Sequence, residues 1–139
     1  MSARDEIFAL CDRLGAAHEA RDADAILACF AEDAVIYDLA PPLASRGMGR
    51  ERLTEWLATW DGPIRFEARD VAVTFEGDLG VMTGLNRIIG VQGGVTQDMW
   101  FRVTTIFRRS DAGWRIVHDH ASVPFHMDGS RRAAVELQP

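Results

Sequence analysis

The feature that most constrains the fold is an apolar segment near the C-terminus, Trp114–Pro124, that carries two histidines. Its β-branched residues, and its position between a turn at 110–113 and a proline, predict a β-strand. Because side chains alternate between the faces of a strand, one face is predicted to hold Trp114, Ile116, His118, His120 and Ser122. Asp119 is then predicted on the opposite face. Two imidazoles on so apolar a strand require hydrogen-bond partners or a hydrated cavity.

The preceding segment, residues 100–107, supplies a matching alternation. The short loop between the two segments predicts an antiparallel hairpin. One face of this second strand is predicted to hold Trp100, Arg102, Thr104 and Ile106. If the polar rows of both strands share a face of the sheet, they form a patch of Trp, Arg, Thr and His among apolar groups. Such a patch is typical of a small-molecule pocket.

Length and charge narrow the class of protein. The 139 residues, 47% of them hydrophobic, are enough for one domain with its own core. A net charge of −6 argues against nucleic acid or an anionic membrane surface as a partner. No apolar run approaches the ~18 residues of a membrane span, and the polar N-terminus does not resemble a signal peptide, which favours a cytoplasmic protein. Cys11 and Cys29 lack metal or redox spacing and are expected to be buried free thiols.

The first part of the chain predicts three helices and one strand. A capping-box pattern at Ser2 precedes an amphipathic helix that extends to about Ala20. A second helix is predicted from an Asp22 cap through Phe30, followed by a strand over residues 34–39. The prolines that follow break this strand, and either X-Pro bond is free to be cis. A third helix is predicted to carry Leu53, Trp56, Leu57 and Trp60 on one face.

The rest of the chain predicts an antiparallel meander. A strand over residues 64–75 and a long strand over 79–91 precede the hairpin. Glycines inside the long strand predict bends or bulges, at Gly80, Gly84 and Gly90. Together the elements predict one α+β domain over residues 1–125, with helices packed on one side of a curved sheet. Residues 126–139 are expected to form a tail that is mobile or docked on a partner.

These residues resemble the nuclear-transport-factor-2-like superfamily, and within it the SnoaL-like branch related to ketosteroid isomerases. The resemblance extends over roughly residues 5–125 and rests on the helix–helix–strand opening with Phe30–Ala34, the Gly47 loop and the closing segment 108–122. It implies a cone-shaped roll, in which a strongly curved, mostly antiparallel sheet wraps helices around a deep cavity, and a homodimer joined through the sheet. The closing segment also resembles the association domain of calcium/calmodulin-dependent protein kinase II. Function stays open, because this fold hosts enzymes and non-catalytic modules.

The resemblance to ketosteroid isomerases gives expectations for single residues. The general-base aspartate of those enzymes matches Asp38 here. Their first-helix tyrosine matches Leu14, and their late-strand aspartic acid falls in segment 102–106, which contains no carboxylate. The resemblance therefore implies a base without the oxyanion hole of steroid isomerases, so authentic ketosteroid isomerase activity is not expected. An acid partner would have to come from His118, His120 or Arg102.

The expected function is acid–base chemistry on an apolar carbonyl compound, of isomerase, cyclase or dehydratase type, without cofactor or metal. Burial in an apolar cavity would raise the pKa of Asp38 and make it a useful base. The partners His118, His120 and Arg102 would polarise the substrate. The substrate pocket is expected to include Tyr37, Trp56, Trp60, Trp100 and Thr104.

Structural roles compete with these functional ones. Asp38 would accept backbone hydrogen bonds in the proline loop, the histidines would be bonded to backbone, and the tryptophans would belong to the core. The two histidines with Asp38 would also suit a metal, but no longer metal-binding pattern accompanies them. If the opposite strand face points inwards, Asp119 faces the cavity and the histidines face a partner subunit. The rival function is a non-catalytic ligand-binding or oligomerisation module.

Overall fold

The computed structural model describes residues 1–139 as three helices and six strands. The helices are α1 (Ala3–Glu19), α2 (Ala23–Leu27) and α3 (Arg50–Ala58). The strands are β1 (Phe30–Tyr37), β2 (Ser45–Arg46), β3 (Arg65–Glu76), β4 (Leu79–Gln92), β5 (Val95–Ser110) and β6 (Gly113–Ser122). None of the helices is long and apolar enough to cross a membrane.

The six strands form one curved, unclosed sheet in the order β2-β1-β6-β5-β4-β3. Strands β3 to β6 make the predicted antiparallel meander, and β1 pairs in parallel with β6. The helices pack against the sheet and enclose a cavity with it. The predicted α+β cone with a mostly antiparallel sheet is confirmed.

The first helix is anchored at its start and along its buried face. The predicted capping box is present: the backbone N–H of Asp5 donates to Ser2 Oγ at 3.2 Å, and that of Ser2 donates to Asp5 Oδ2 at 3.0 Å. Ile7 and Leu10 are fully buried in the core. The indole N–H of Trp114 on β6 donates to Glu6 Oε2 at 2.9 Å, which ties α1 to the sheet.

The predicted boundary between the second helix and the first strand was wrong. Helix α2 stops at Leu27 and β1 already begins at Phe30, four residues before the predicted start. Phe30 pairs with Ile116 on β6 and is buried, and the N–H of Ile116 donates to the carbonyl oxygen of Cys29 at 2.9 Å. Pairing with β6 therefore outweighs the local helical pattern of this segment.

The long strand does not contain the predicted bulges. Strand β4 pairs with β5 without a break, and the shift of register lies in β3 instead. A Cβ atom at Gly90 would lie 2.9 Å from Trp60 Cζ3, and one at Gly80 would lie 2.9 Å from Ile7 Cδ1. The glycines thus let α1 and Trp60 approach the sheet closely.

The last residues fold into a compact loop. Phe125 forms an isolated bridge with Ala133, and Ala134 is 3% exposed. His126 Nε2 lies 2.5 Å from Glu136 Oε1, and the guanidinium of Arg69 donates to the carbonyl oxygen of Pro139 at 3.2 Å. Both cysteines are free thiols, as predicted, but only Cys29 is buried and Cys11 is partly exposed. The Pro41–Pro42 peptide bond is cis.

Candidate functional site

A β-bulge in the hairpin decides which side chains of β6 face the helices. Strand β5 pairs Ile106 with His118 but its next residue, Phe107, with Ile116. Val117 is therefore an extra residue on β6 with no partner of its own on β5. Because side chains alternate with a period of two, one extra residue exchanges the two faces for every residue beyond it.

The bulge corrects the predicted face of the two histidines. Before it, Trp114 and Ile116 are buried in the core, as 5% and 2% of their surfaces are exposed. After it, Asp119 lines the cavity, whereas His118 and His120 do not. The prediction that the histidines share the face of Trp114 was wrong, and the alternative with Asp119 facing the cavity is the one observed.

The same correction applies to the polar row of β5. The predicted pairing is present, since Thr104 lies opposite His120 and Arg102 lies opposite Ser122. The polar residues of both strands do share one face of the sheet, but it is the outer face, which points away from the cavity. Trp100, Arg102 and Thr104 therefore do not line the cavity. The apolar row of β5 faces inwards instead, with Phe101, Val103, Thr105 and Phe107.

On the outer face, the histidines take part in an aromatic cluster with Tyr37. Tyr37 contacts His118 and His120 edge-on, with ring centroids 5.0 and 5.3 Å apart. His118 Nδ1 lies 2.7 Å from the carbonyl oxygen of Val35, so this nitrogen donates to the backbone. Asp38 lines the cavity instead, and it does not form a group with these two histidines that could hold a metal ion.

The cavity has a volume of about 1140 Å³ and opens to solvent. Of its 41 lining residues 24 are hydrophobic, so it favours a largely apolar ligand. Trp56 and Trp60 lie in its wall, but Tyr37 does not. Its polar side chains include His18, Asp38, Asn86, Thr105 and Asp119.

Asp119 is a partly buried carboxyl group with one hydrogen-bond partner. The hydroxyl of Thr105, which is 4% exposed, donates to Asp119 Oδ1 at 2.7 Å, while Oδ2 makes no hydrogen bond within the chain. Burial raises the pKa of Asp119 to about 6, the negative charge of Asp38 adds to this rise, and the Thr105 hydrogen bond opposes it. At neutral pH Asp119 is thus mostly ionised, with a pKa suited to a general base.

Asp38 lies at the mouth of the cavity, directly after β1. It is exposed to solvent, and its Oδ1 accepts a hydrogen bond from the backbone N–H of Leu39 at 2.7 Å. Its charge acts on both Asp119 and His18. Asp38 is therefore a second carboxylate near the same cavity, in a more hydrated position than Asp119.

His18 is a further cavity residue, which was not among the predicted site residues. Its Nδ1 lies 2.9 Å from the carbonyl oxygen of Leu14, and since a carbonyl can only accept, Nδ1 carries the proton. Burial lowers the pKa of His18, which keeps the ring neutral at pH 7. A signal was present in the sequence, because Cys11, Leu14 and His18 follow helical spacing and all three line the cavity.

The raised pKa of Asp119 predicts an unusual dependence of stability on pH. The pKa of Asp119 in the folded protein, about 6, exceeds the ordinary value of 3.8 that it has in the unfolded chain. The folded protein therefore binds a proton at Asp119 more tightly than the unfolded chain does. Proton binding at Asp119 therefore stabilises the folded state; this stabilisation is fully present below pH 3.8 and is lost as the pH rises through 6. At pH 7.5 we expect Asp119→Asn to be more stable than the wild type by roughly 1–3 kcal/mol, allowing for partial solvation.

Urea denaturation of both proteins between pH 4 and pH 8 measures this effect. The stability difference should shrink towards zero as the pH is lowered to about 4, because Asp119 is then protonated in the folded state. The comparison with the variant cancels the carboxylates whose pKa values are lowered, such as Asp5 and Asp98. Parallel stability curves for the two proteins would show that Asp119 titrates normally.

Comparisons with known proteins agree with this geometry. The profile of the SnoaL-like domain family matches residues 7–126. A crystal structure of an NTF2-like protein of unknown function from Pseudomonas putida KT2440 is 31% identical, and the alignment covers 100% of this chain and 99% of that one with a TM-score of 0.86. A search of curated proteins gave no match.

Two further solved structures share the fold and have names that suggest enzymes. A candidate dehydratase of the NTF2-like family from Streptomyces avermitilis is 21% identical over 88% of this chain and 96% of its own, with a TM-score of 0.77. A candidate aromatic ring hydroxylase from Novosphingobium aromaticivorans is 25% identical over 86% of this chain and 87% of its own, with a TM-score of 0.73. At these identities the similarity concerns the architecture of the cavity rather than any particular reaction.

Proposed function

Since the chain belongs to the SnoaL-like domain family, we propose that it binds a neutral, largely apolar carbonyl compound and moves a proton on it. Asp119 acts as the general base, and Thr105 holds its carboxylate in place. The observation that carries the proposal is a carboxyl group with a pKa of about 6 that faces an apolar cavity.

The hydrogen bonds of Asp119 suit proton abstraction. Thr105 occupies Oδ1, which leaves Oδ2 free for a C–H or O–H proton of a bound compound. A base whose pKa lies near the working pH combines a large ionised fraction with useful basicity. Asp38, the base that the resemblance implies, is retained as a second carboxylate that exchanges the proton with solvent at the mouth.

The developing oxyanion needs a donor inside the cavity. His118, His120 and Arg102 lie on the outer face of the sheet, so we do not assign this role to them. Asn86 lines the cavity from β4, and its side-chain amide makes no hydrogen bond within the chain. We assign the donor role to this amide, which would stabilise the enolate formed when Asp119 removes the proton.

Proton abstraction can be tested without knowing the natural substrate. In D₂O, a base next to a bound ketone exchanges the protons on the carbon beside the carbonyl, and proton NMR follows their loss. We expect the protein to accelerate this exchange for tetralone, an apolar bicyclic ketone, above the rate in buffer. Equal rates with and without protein, over a panel of bicyclic and steroid ketones that bind, would refute the catalytic proposal.

A non-catalytic binding module is the second candidate. The donor that we assign to the oxyanion is a neutral amide, and the cavity histidine, His18, has a lowered pKa and is uncharged at neutral pH. A solved structure of a candidate calcium/calmodulin-dependent protein kinase II association domain from Xanthomonas campestris, 20% identical, has the same fold with a TM-score of 0.71. Ketone binding without exchange would favour this second candidate.

The outer face of the sheet is our proposed homodimer surface. Tyr37 is 38% exposed there, and its cluster with His118 and His120 presents aromatic edges to the outside. Pairing of two copies through this face would cover the cluster and leave the cavity mouth open.

A further inference from the structure

His18 is a polar residue of the cavity wall that has no role in the proposed function. It sits on the last turn of α1, and its ring packs edge-on against Trp56 and Phe66, with centroids 6.1 and 5.0 Å apart. These contacts and the bond from Nδ1 to Leu14 fix both the position of the ring and its tautomer. The ring therefore presents one atom, Nε2, in a defined place.

Nε2 of His18 has no partner within the chain, although it is not sealed from the cavity. No other group of the protein forms a hydrogen bond with this nitrogen. A second unpaired polar atom in the same wall is the indole nitrogen of Trp60, which, unlike Nε2 of His18, has almost no solvent-accessible surface. Trp60 packs edge-on against Trp56, with ring centroids 5.6 Å apart, and is 4% exposed. One wall of the cavity thus holds two unpaired polar atoms, the acceptor Nε2 of His18 and the indole N–H donor of Trp60, on rings that both pack against Trp56.

The charges around the cavity limit what these groups bind. Among its lining residues are five carboxylates, Asp12, Glu19, Asp38, Glu67 and Asp119, and two guanidinium groups, Arg52 and Arg65. Arg65 Nε already lies 3.4 Å from Glu19 Oε1. An anionic ligand is therefore disfavoured, and a neutral hydroxyl group suits an unprotonated imidazole nitrogen, to which it can donate.

We propose that His18 is a specificity-determining residue whose Nε2 accepts a hydrogen bond from a ligand hydroxyl group. The ligand is then a neutral, largely apolar ketone with a hydroxyl group remote from its carbonyl. This inference rests on the proposed function, because it assumes that the carbonyl end lies near Asp119. It adds a second point of recognition, on the α1–α3 wall.

The test compares matched probes in the full-length protein. Calorimetry measures the binding of tetralone, of its isomers with a hydroxyl group on the aromatic ring, and of the methyl ethers of those isomers. The wild type should bind at least one hydroxytetralone about tenfold more tightly than tetralone, which is typical of one hydrogen bond. The methyl ether, which cannot donate, should lose this advantage.

Two variants of His18 assign the effect to Nε2. His18→Phe keeps an aromatic ring against Trp56 but removes the acceptor, so the preference for the hydroxyl should disappear. His18→Gln supplies an amide oxygen instead and should restore part of it. A hydroxyl preference that persists in His18→Phe would overturn the inference, as would nitrogen-15 NMR signals showing the proton on Nε2 of the wild type.

The remaining outcomes separate this inference from the proposed function. In Asp119→Asn, the hydroxyl preference should remain while proton exchange is lost. If the wild type exchanges the protons of tetralone but binds all hydroxytetralones no better, the proposed function stands and the role of His18 is overturned. If neither tetralone nor any hydroxytetralone binds, the ligand class proposed here is overturned.

Discussion

Substitution of Asp119 by asparagine should lower protein-catalysed proton exchange on tetralone by 100-fold or more. The change replaces a carboxylate with an amide of nearly the same size, which has no basic oxygen at neutral pH. General acid–base groups typically contribute 10²–10⁴-fold to a rate. Thr105 can still donate to the amide oxygen, so the cavity keeps its shape.

The pH profile of the wild type gives a second readout of the same residue. Only the ionised carboxylate can accept a proton, so the exchange rate should rise with pH and level off above about 6, the pKa of Asp119. Thr105→Val removes the hydroxyl that favours the ionised form. We therefore expect the midpoint of the profile to move to higher pH in Thr105→Val.

A residue of the outer face provides the matched control. His120→Gln changes a side chain one position from Asp119 but on the opposite side of the sheet, so the exchange rate should stay within about twofold of the wild type. Since Asp119→Asn is also expected to be the more stable protein at neutral pH, a loss of exchange could not be attributed to unfolding. Full exchange activity in Asp119→Asn would show that another residue is the general base, and Asp38 would be the next residue to test.

The sequence was informative about elements and pairing because these depend on local patterns. The capping box at Ser2 is a short-range signal, and the antiparallel hairpin of β5 and β6 follows from strand alternation and a short loop. The alternating rows of β5 were likewise correct residue by residue. The family resemblance then gave the cone and its cavity.

The cavity wall was harder to predict, because a single bulge decides it. Nothing in the segment from Trp114 to His120 marks Val117 as an extra residue, since β-branched residues are common in regular strands too. Without the bulge, Trp114 and His118 would share a face; with it, Asp119 replaces the histidines in the cavity. The apolar β5 row also had to face inwards, since it supplies core residues such as Phe107, and this burial outweighs the polar pattern that suggested a pocket.

The assignment of inner and outer faces leads to a large expected effect on stability. Phe107 is 0% exposed, and its position on β5 lies opposite Ile116 and Gly80. Phe107→Ala removes most of a buried aromatic side chain and leaves a cavity, so we expect a loss of 3–5 kcal/mol in the free energy of unfolding, on the order of that seen for buried Phe→Ala changes. Its neighbour Ile106 faces outwards and is only partly buried.

The matched variant Ile106→Ala makes the comparison a test of strand orientation. Because Ile106 is only partly buried, its truncation should cost less than that of Phe107, about 1–2 kcal/mol, since less apolar surface is lost from the interior. Urea denaturation at one pH, with the slope of unfolding checked for both variants, gives the two values. If Ile106→Ala lost more unfolding free energy than Phe107→Ala, the assignment of inner and outer faces on β5 would be wrong. The placement of Asp119 in the cavity would then be wrong as well, because the pairs on either side of the bulge hold β5 and β6 in register.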